Sequence, residues 1–437
     1  MSAFQKQILE MLLQSQYWPP EQMLAYQRSQ LGQLLRHARA QVPFYKSSLV
    51  PVFRGNGDID WSRWHEIPIV TRTDLRDRRS ELLAVTLPPG HGPTKTFHSS
   101  GSSGVPIAME TTKIAVDANR AVAHRFYQLQ GIDAKKTRAT LSNSTKSGEI
   151  LREEFYIKQW GGLSAGEENG GREIVLNRNL PESRKLDLLE SEGAAYLFDI
   201  PNNTEVLALA NLSRKIPVRL EVVLCSGQGL PANQRNLFRQ SFGARSISMY
   251  SSEEGGMMGC QCGDSFHYHL NPETALVEIL ASDGKTCAPG EPGRVVITPF
   301  FSTALPLIRY DQGDTAELHP SCTCKSKLPV LAKIIGRQDQ LLQFPDGPRS
   351  AAGISPRLLR EGLNALAYQL AQVATFKLEL RFVPADVNKQ VNAEPIIALI
   401  RELIHPRLEV ILKPVENIPL NPGGKQQRIV CEIAPQR

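Results

Sequence analysis

The stretch T96-F-H-S-S-G-S-S-G-V-P106 has four serines and two glycines between a histidine and a proline. It reads in two ways. Either it is a flexible tie between separate units, or it is a loop inside one α/β unit whose amides and hydroxyls hold phosphate. Gly101 and Gly104 allow successive N–H groups to converge on an anion, and Ser99, Ser100, Ser102 and Ser103 add hydroxyl donors. A Gly-Lys-Ser/Thr ending is absent, so it is not a Walker loop. Composition alone favours the linker, since Ser/Gly runs behave as flexible coil.

The surrounding chain sets the fold class. Before it, Phe4, Ile8, Leu9, Leu12 and Leu13 recur at helical spacing up to Pro19 and Pro20. Residues 21–42 place Leu24, Leu31, Leu35 and Ala38 on one face of a second helix, closed by Pro43. From about residue 95 to 335, helical stretches such as ESRKLDLLESEGAAYLF (182–198) alternate with β-branched runs such as VRLEVVLC (218–225) and GRVVITPF (293–300), the pattern of an α/β fold. A smaller α/β unit follows, with strands FKLELRFV (376–383) and RLEVILKPV (407–415) around the helix EPIIALIRELI (394–404). The expected division is 1–337, opening with a helical segment 1–90, and 338–437, joined near IIGRQDQLLQF (334–344).

At 437 residues the chain exceeds what one core usually serves, and its 41% hydrophobic and 22% charged residues are ordinary for a globular protein. No apolar run reaches membrane-spanning length, and the charged N-terminus does not read as a signal peptide. The expected address is the cytoplasm, with no membrane partner. Fifty basic against forty-four acidic residues, scattered rather than striped, argue against a nucleic-acid partner. Seven cysteines, an odd number, argue against a secreted disulfide framework.

Four later stretches carry chemistry. MYSSEEGG (249–256) ends a β-like run with Glu253 and Glu254. LPLIRYDQGDTAEL (305–318) sets Asp314 after Gly313, IIGRQDQ (334–340) carries Arg337 and Asp339, and IPLNPGGKQQRIV (418–430) puts Lys425 on a Pro/Gly turn. Each alone is more readily a solvated turn or a surface ion pair. In order, SSGSSGVP, YSSEE, DQGD, GRQD and NPGGK resemble the motif series of the adenylate-forming enzymes: acyl- and aryl-CoA ligases, luciferases and peptide-synthetase adenylation domains. HARAQVPFYKSSL (37–49), EIPIVTRTDLRDR (66–78), LPLIRY and the short C-terminal unit are most similar to the phenylacetate–CoA ligase branch.

The resemblance implies a large adenylate-forming domain of β-sheets and packed helices with a small mobile C-terminal α/β domain. It implies ATP-dependent activation of a carboxylic acid, aryl or arylacetic, as an acyl-adenylate with pyrophosphate released. Transfer to CoA follows, or in a rival reading transfer to a carrier protein or an amine; a non-catalytic nucleotide-binding relative is the third reading. Lys425 would sit between the acid and the α-phosphate, and Glu254 would hold Mg²⁺ through oxygen, as that hard cation prefers. Asp314 would take the ribose hydroxyls with Arg337 beside it. Ser99 to Gly104 would hold the outer phosphates, with Tyr250, Ser251, Ser252 and Glu253 completing the ATP site, and Asp339 would be the pivot. Tyr127, Gly227, Tyr250, Gly255 and Met257 are the expected acid pocket, and a homodimer is possible in such a family. The chain departs from the pattern at Val105, where a lysine is usual, at Glu253, where a hydroxyl is usual, and at Gln228, where an acid is common.

GCQCGDSFHYHL (259–270) and SCTCKSKL (321–328) bring two Cys-x-Cys pairs and two histidines to either side of the Asp314 stretch, a donor set suited to tetrahedral zinc. Part of the branch carries such a metal, and its Cys-x6-His phrase points to Cys260, His267, Cys322 and Cys324, with Cys262 as the substitute. Four protein ligands leave no open position, so the expected role is structural.

Overall fold

The computed structural model describes residues 2–98, 107–144, 150–160, 170–263, 265–351, 353–386, 388, 391–419 and 426–433. The serine/glycine loop from Ser99 to Gly104, and Lys425, lie outside the described residues.

A sheet of twelve strands forms the centre of the larger unit. One half is parallel, built from Arg138–Ser142, Gly171–Asn177, Tyr196–Asp199, Val222–Cys225 and Arg245–Ser252, with Phe155–Trp160 antiparallel at its edge. The other half is antiparallel. Arg245–Ser252 joins them: it runs parallel to Val222–Cys225 on one side and antiparallel to Gly256–Gln261 on the other. Val222–Cys225 is buried along its whole length, as a central parallel strand covered on both faces must be.

Helices cover both faces of the parallel half. Glu182–Ser191, Pro201–Leu212 and Ala232–Phe242 close one apolar cluster through Leu186, Leu189, Leu207, Phe238 and Phe242. On the other face Phe126 of Lys113–Leu129 packs with Trp160, Tyr196, Leu224 and Ile247. Residues 182–198, expected as one helical stretch, divide into a helix that ends at Ser191 and the strand Tyr196–Asp199. Gly193, at φ 62°, makes the break, because a left-handed residue ends a helix and glycine adopts it without a Cβ penalty.

The N-terminal helix Ala3–Ser15 begins at a capping box on Ser2, and the next, Pro20–Gln41, has proline at its first turn. Ile8, Leu9 and Leu12 pack against Ala121 and Val122 of Lys113–Leu129. The contact is pinned from beneath. Arg125 reaches Glu273 at 2.6 Å and Asn271 at 2.6 Å, and Ser15 donates to Glu273 at 2.5 Å. Both charges are buried, so each depends on the other for compensation.

The C-terminal unit has its own apolar cluster, formed from Leu342 onward to Ile429. Its four-stranded sheet places Lys377–Pro384 and Ala365–Ala374 at the centre, flanked by Glu409–Pro414 and Ile429–Cys431. The helix Glu394–Leu403 lays Ile396 and Ile400 on that core. Among the described residues, no helix is long and apolar enough to cross a membrane.

Candidate active site

Open α/β sheets bind ligands outside the carboxyl ends of their strands, and several expected site residues arrive there. Ser226, just past Val222–Cys225, lies 3.1 Å from Ser251 through their hydroxyls. The next residue, Gly227, has φ 78° and turns the chain away. Tyr250 stands on the joining strand and donates its hydroxyl to Asp314 at 2.9 Å. Asp314 sits directly opposite Arg337 in the ladder. The guanidinium donates to the Gln312 carbonyl at 2.8 Å and to Asp314 at 3.4 Å.

Burial raises the Asp314 pKa, against the opposing pull of Arg337 and the Tyr250 hydrogen bond. Burial also raises that of Tyr250, helped by the Asp314 charge. Gly313, at φ 75°, allows the close approach: a Cβ there would lie 2.9 Å from the Arg337 guanidinium.

Glu253 and Glu254 follow the end of Arg245–Ser252. Glu254 is half-buried, 3.6 Å from the Arg72 guanidinium. Glu253 is exposed, yet the protein packed around it and the Glu254 charge beside it raise its pKa. The turn after them is held by Asn119, whose side-chain oxygen accepts from the Met257 N–H at 3.2 Å. Ser252 accepts from the Gly255 N–H at 2.8 Å. A Cβ on Gly256, which has φ 65°, would meet the Asn119 side-chain oxygen at 2.2 Å. Both acids and both glycines line a small cleft of about 50 Å³ with Phe97, Asn119 and Phe301.

The remaining expected residues are more dispersed. Tyr127 lies two turns beyond Asn119 on its helix, its ring edge-on to Trp160 at 5.5 Å and its hydroxyl accepting from Arg138 at 3.1 Å. It and Met257 pack against the same apolar cluster as Phe198 and Met249. Asp339 is exposed in a short 3-10 turn, Gln338–Gln340, immediately before the C-terminal unit. Arg72 and Asn119 were not legible in the sequence: nothing in the spacing of Arg72 pointed to Glu254.

The cysteine-rich stretches do meet, as a different four from those expected. Cys262, His269, Cys322 and Cys324 present ligand atoms all within 4.8 Å of one another. The Cys322 and Cys262 sulfurs are 3.6 Å apart, and Cys324 Sγ is 3.2 Å from His269 Nε2. A zinc tetrahedron with Zn–S bonds of about 2.3 Å has S–S edges of roughly 3.8 Å, so this set fits the ion. Cys260 pairs with His269 across the ladder, and the Cys262 N–H bonds the His267 carbonyl at 2.8 Å. All four therefore begin on one face, and only the diagonal Cys262–His269 joins the cluster. Cys260 is instead packed against Phe126, Trp160 and Ile247, where burial pushes its thiol up to about 11. His267 turns its ring onto His319, with centroids 4.0 Å apart.

No protein-family model matches the chain. It is 24% identical to a phenylacetate-coenzyme A ligase of Thermus thermophilus, over 94% of this chain and 97% of that protein. Among solved structures it superposes on a 2-hydroxyisobutyryl-CoA ligase in the postadenylation state bound to R3-HIB-AMP, with a TM-score of 0.68 at 18% identity, covering 96% of this chain and 93% of the other. The same ligase with 2-HIB-AMP in that state gives 0.66 at 18% identity and the same coverage. The chain thus has the fold of adenylate-forming CoA ligases and is similar over nearly its whole length to a phenylacetate–CoA ligase.

Proposed function

We propose that this protein uses ATP to convert a carboxylic acid, of aryl or arylacetic type, into an acyl-adenylate, releasing pyrophosphate, and then passes the acyl group to CoA. The observation that carries this reading is the Tyr250–Asp314–Arg337 constellation beside Glu254 at the strand ends. Asp314 is a buried acceptor already aligned by two donors, suited to take the ribose hydroxyls. A carboxylate is a poor electrophile, and negative charge grows on the α-phosphate as it is attacked. The site therefore needs preorganised donors rather than a protein nucleophile.

Lys425 supplies the cation between acid and α-phosphate, and the loop from Ser99 to Gly104 holds the outer phosphates with Tyr250, Ser251, Ser252 and Glu253 lining the nucleotide. Val105 leaves that loop without a lysine, so its amides and serine hydroxyls carry the contact. The half-buried Glu254 carboxylate is an oxygen donor suited to Mg²⁺, which neutralises phosphate charge when bound. Gly227, Gly255, Met257 and Tyr127 lie along the acid side. Asp339 is the pivot about which the C-terminal unit changes position between half-reactions.

The Cys262–His269–Cys322–Cys324 cluster holds zinc as a closed structural site joining two loops. Chelation should lower the melting temperature by several degrees and leave exchange measurable below the new midpoint; an unchanged melting curve for protein shown by metal analysis to have lost its ion would remove the structural role. The function itself is tested by ATP–pyrophosphate exchange over a panel of carboxylic acids, then by thioester formation with CoA, a carrier protein or an amine as acceptor. Lys425→Ala should reduce exchange by at least a hundredfold while ATP still binds. Failure of every acid to support exchange would overturn the reading.

A further inference from the structure

The C-terminal unit meets the larger one along residues 350–355, and the side chains there divide by chemistry. Ala351 and Ile354 are buried in the apolar cluster of the C-terminal unit itself. Ser350, Gly353 and Ser355 meet the larger unit instead. A Cβ on Gly336, near the end of Val330–Arg337, would lie 3.1 Å from the Ser350 hydroxyl. A Cβ on Gly353 would lie 3.4 Å from Cγ and 3.7 Å from Cβ of Pro231, the residue before Ala232–Phe242. Ser355, just before the short helix Pro356–Gly362, is 1% exposed and comes up against Glu205 of Pro201–Leu212.

Glu205 is itself a buried carboxylate, 5% exposed. Gln234 donates to it at 2.9 Å and also reaches the Asn202 side-chain oxygen at 2.9 Å. Burial raises the Glu205 pKa, and the Gln234 and Ser355 groups pull it back. Among the described residues, the buried Ser355 hydroxyl makes no hydrogen bond of ordinary length. Glu205 is thus held firmly from its own unit and approached more loosely from the other. If the C-terminal unit moves away, water can solvate the uncovered carboxylate and hydroxyl, so separation leaves neither group stranded. The segment brings serines and a glycine to the contact rather than large apolar side chains, and polar interfaces of this kind let domains move. The seat also adjoins the candidate site, because Pro231 closes the loop that starts at Ser226.

From these contacts we infer that residues 350–355 form a releasable latch. Ser355 on Glu205 and Gly353 on Pro231 hold the C-terminal unit in the orientation seen here; one half-reaction takes place with the latch closed, the other after the unit has left it. This rests on the two-step reading and the Asp339 pivot proposed above.

The test locks the latch. The 3.7 Å between Cβ of Pro231 and a Cβ at position 353 falls within the roughly 3.5–4.5 Å span of a disulfide. Pro231→Cys combined with Gly353→Cys should therefore oxidise to a bridge, detected by mass spectrometry, with the two single variants treated alike as references. Two activities are compared with the acid that best supports exchange: ATP–pyrophosphate exchange, and thioester formation from added acyl-adenylate and CoA. The bridged protein should keep one within about threefold and lose the other at least tenfold, and reduction should restore the loss. Glu205→Gln and Ser355→Ala loosen the latch, and each should lower the activity that the bridged protein keeps, relative to the other, at least threefold. A pair that does not bridge, a bridged protein that keeps or loses both activities alike, or loosening variants that affect both equally would overturn the latch and leave acid activation standing. Absence of exchange with every acid in wild type would instead sink the activation reading, and this inference with it.

Discussion

At the residue scale, the site turns on one buried carboxylate held between two donors. Tyr250→Phe removes the hydroxyl that fixes Asp314 and should raise the KM for ATP about tenfold, in keeping with a hydrogen bond to a charged group. The melting temperature should change far less, and steady-state kinetics with ATP varied separates the two effects. Asp199 offers a pH test at the neighbouring strand end, where its carbonyl accepts from the Ser226 N–H. It is buried at the end of Tyr196–Asp199 with Asn203 at 3.2 Å and Arg178 at 3.5 Å, and burial pushes its pKa up to about 6. Because the folded value lies above the unfolded one, stability falls as pH rises from about 4 to about 6, by up to roughly 3 kcal/mol. Asp199→Asn keeps the acceptor for Asn203 and removes this penalty. The stability gap between variant and wild type should therefore widen across that window, as urea denaturation at several pH values would show; a constant gap would exclude the assignment. Nothing in the sequence marked Asp199, since its burial comes from the strands and helices packed around it.

At the element scale, the turn after Arg245–Ser252 is held in place by Lys113–Leu129. Gly256→Ala adds a Cβ against Asn119 and requires a left-handed backbone that alanine rarely adopts. The turn must shift, taking Glu254 with it. The expected result is at least a tenfold loss of exchange kcat with thermal stability lowered by only a few degrees, and retention of full kcat would show that the turn tolerates displacement. The strand carrying YSSEE was legible from the β-like run ARSISMY and the acids behind it. Its helical support was not, because Asn119 sits on an amphipathic helix with no local sign that one polar residue faces a distant turn. The cluster of Cys and His residues follows the same logic. Cys-x-Cys and His-x-His spacing brings four donors to one face of a hairpin, but packing against Phe126 and stacking on His319 select which two remain with Cys322 and Cys324.

At the scale of the whole molecule, the apolar cluster of the C-terminal unit is distinct from those of the larger one, and an exposed turn containing Asp339 lies between them in the chain. A turn at such a position can act as a hinge, and fixing its backbone should separate the two half-reactions. Asp339→Pro should retain pyrophosphate exchange within about threefold and reduce CoA thioester formation at least tenfold. Equal loss in both assays would deny Asp339 the pivot role. The sequence by itself determined the alternation of helices and strands, the smaller unit after residue 340 and the ordered series of chemical motifs. Those properties depend on short-range periodicity and on glycine and proline at turns. Tertiary structure alone decided the pairing of Arg72 with Glu254, the docking of Asn119 on the Gly256 turn and the identity of the four clustered Cys and His residues. Each of these joins residues from elements far apart in the chain, and such contacts follow from how the sheet and helices pack rather than from any local pattern.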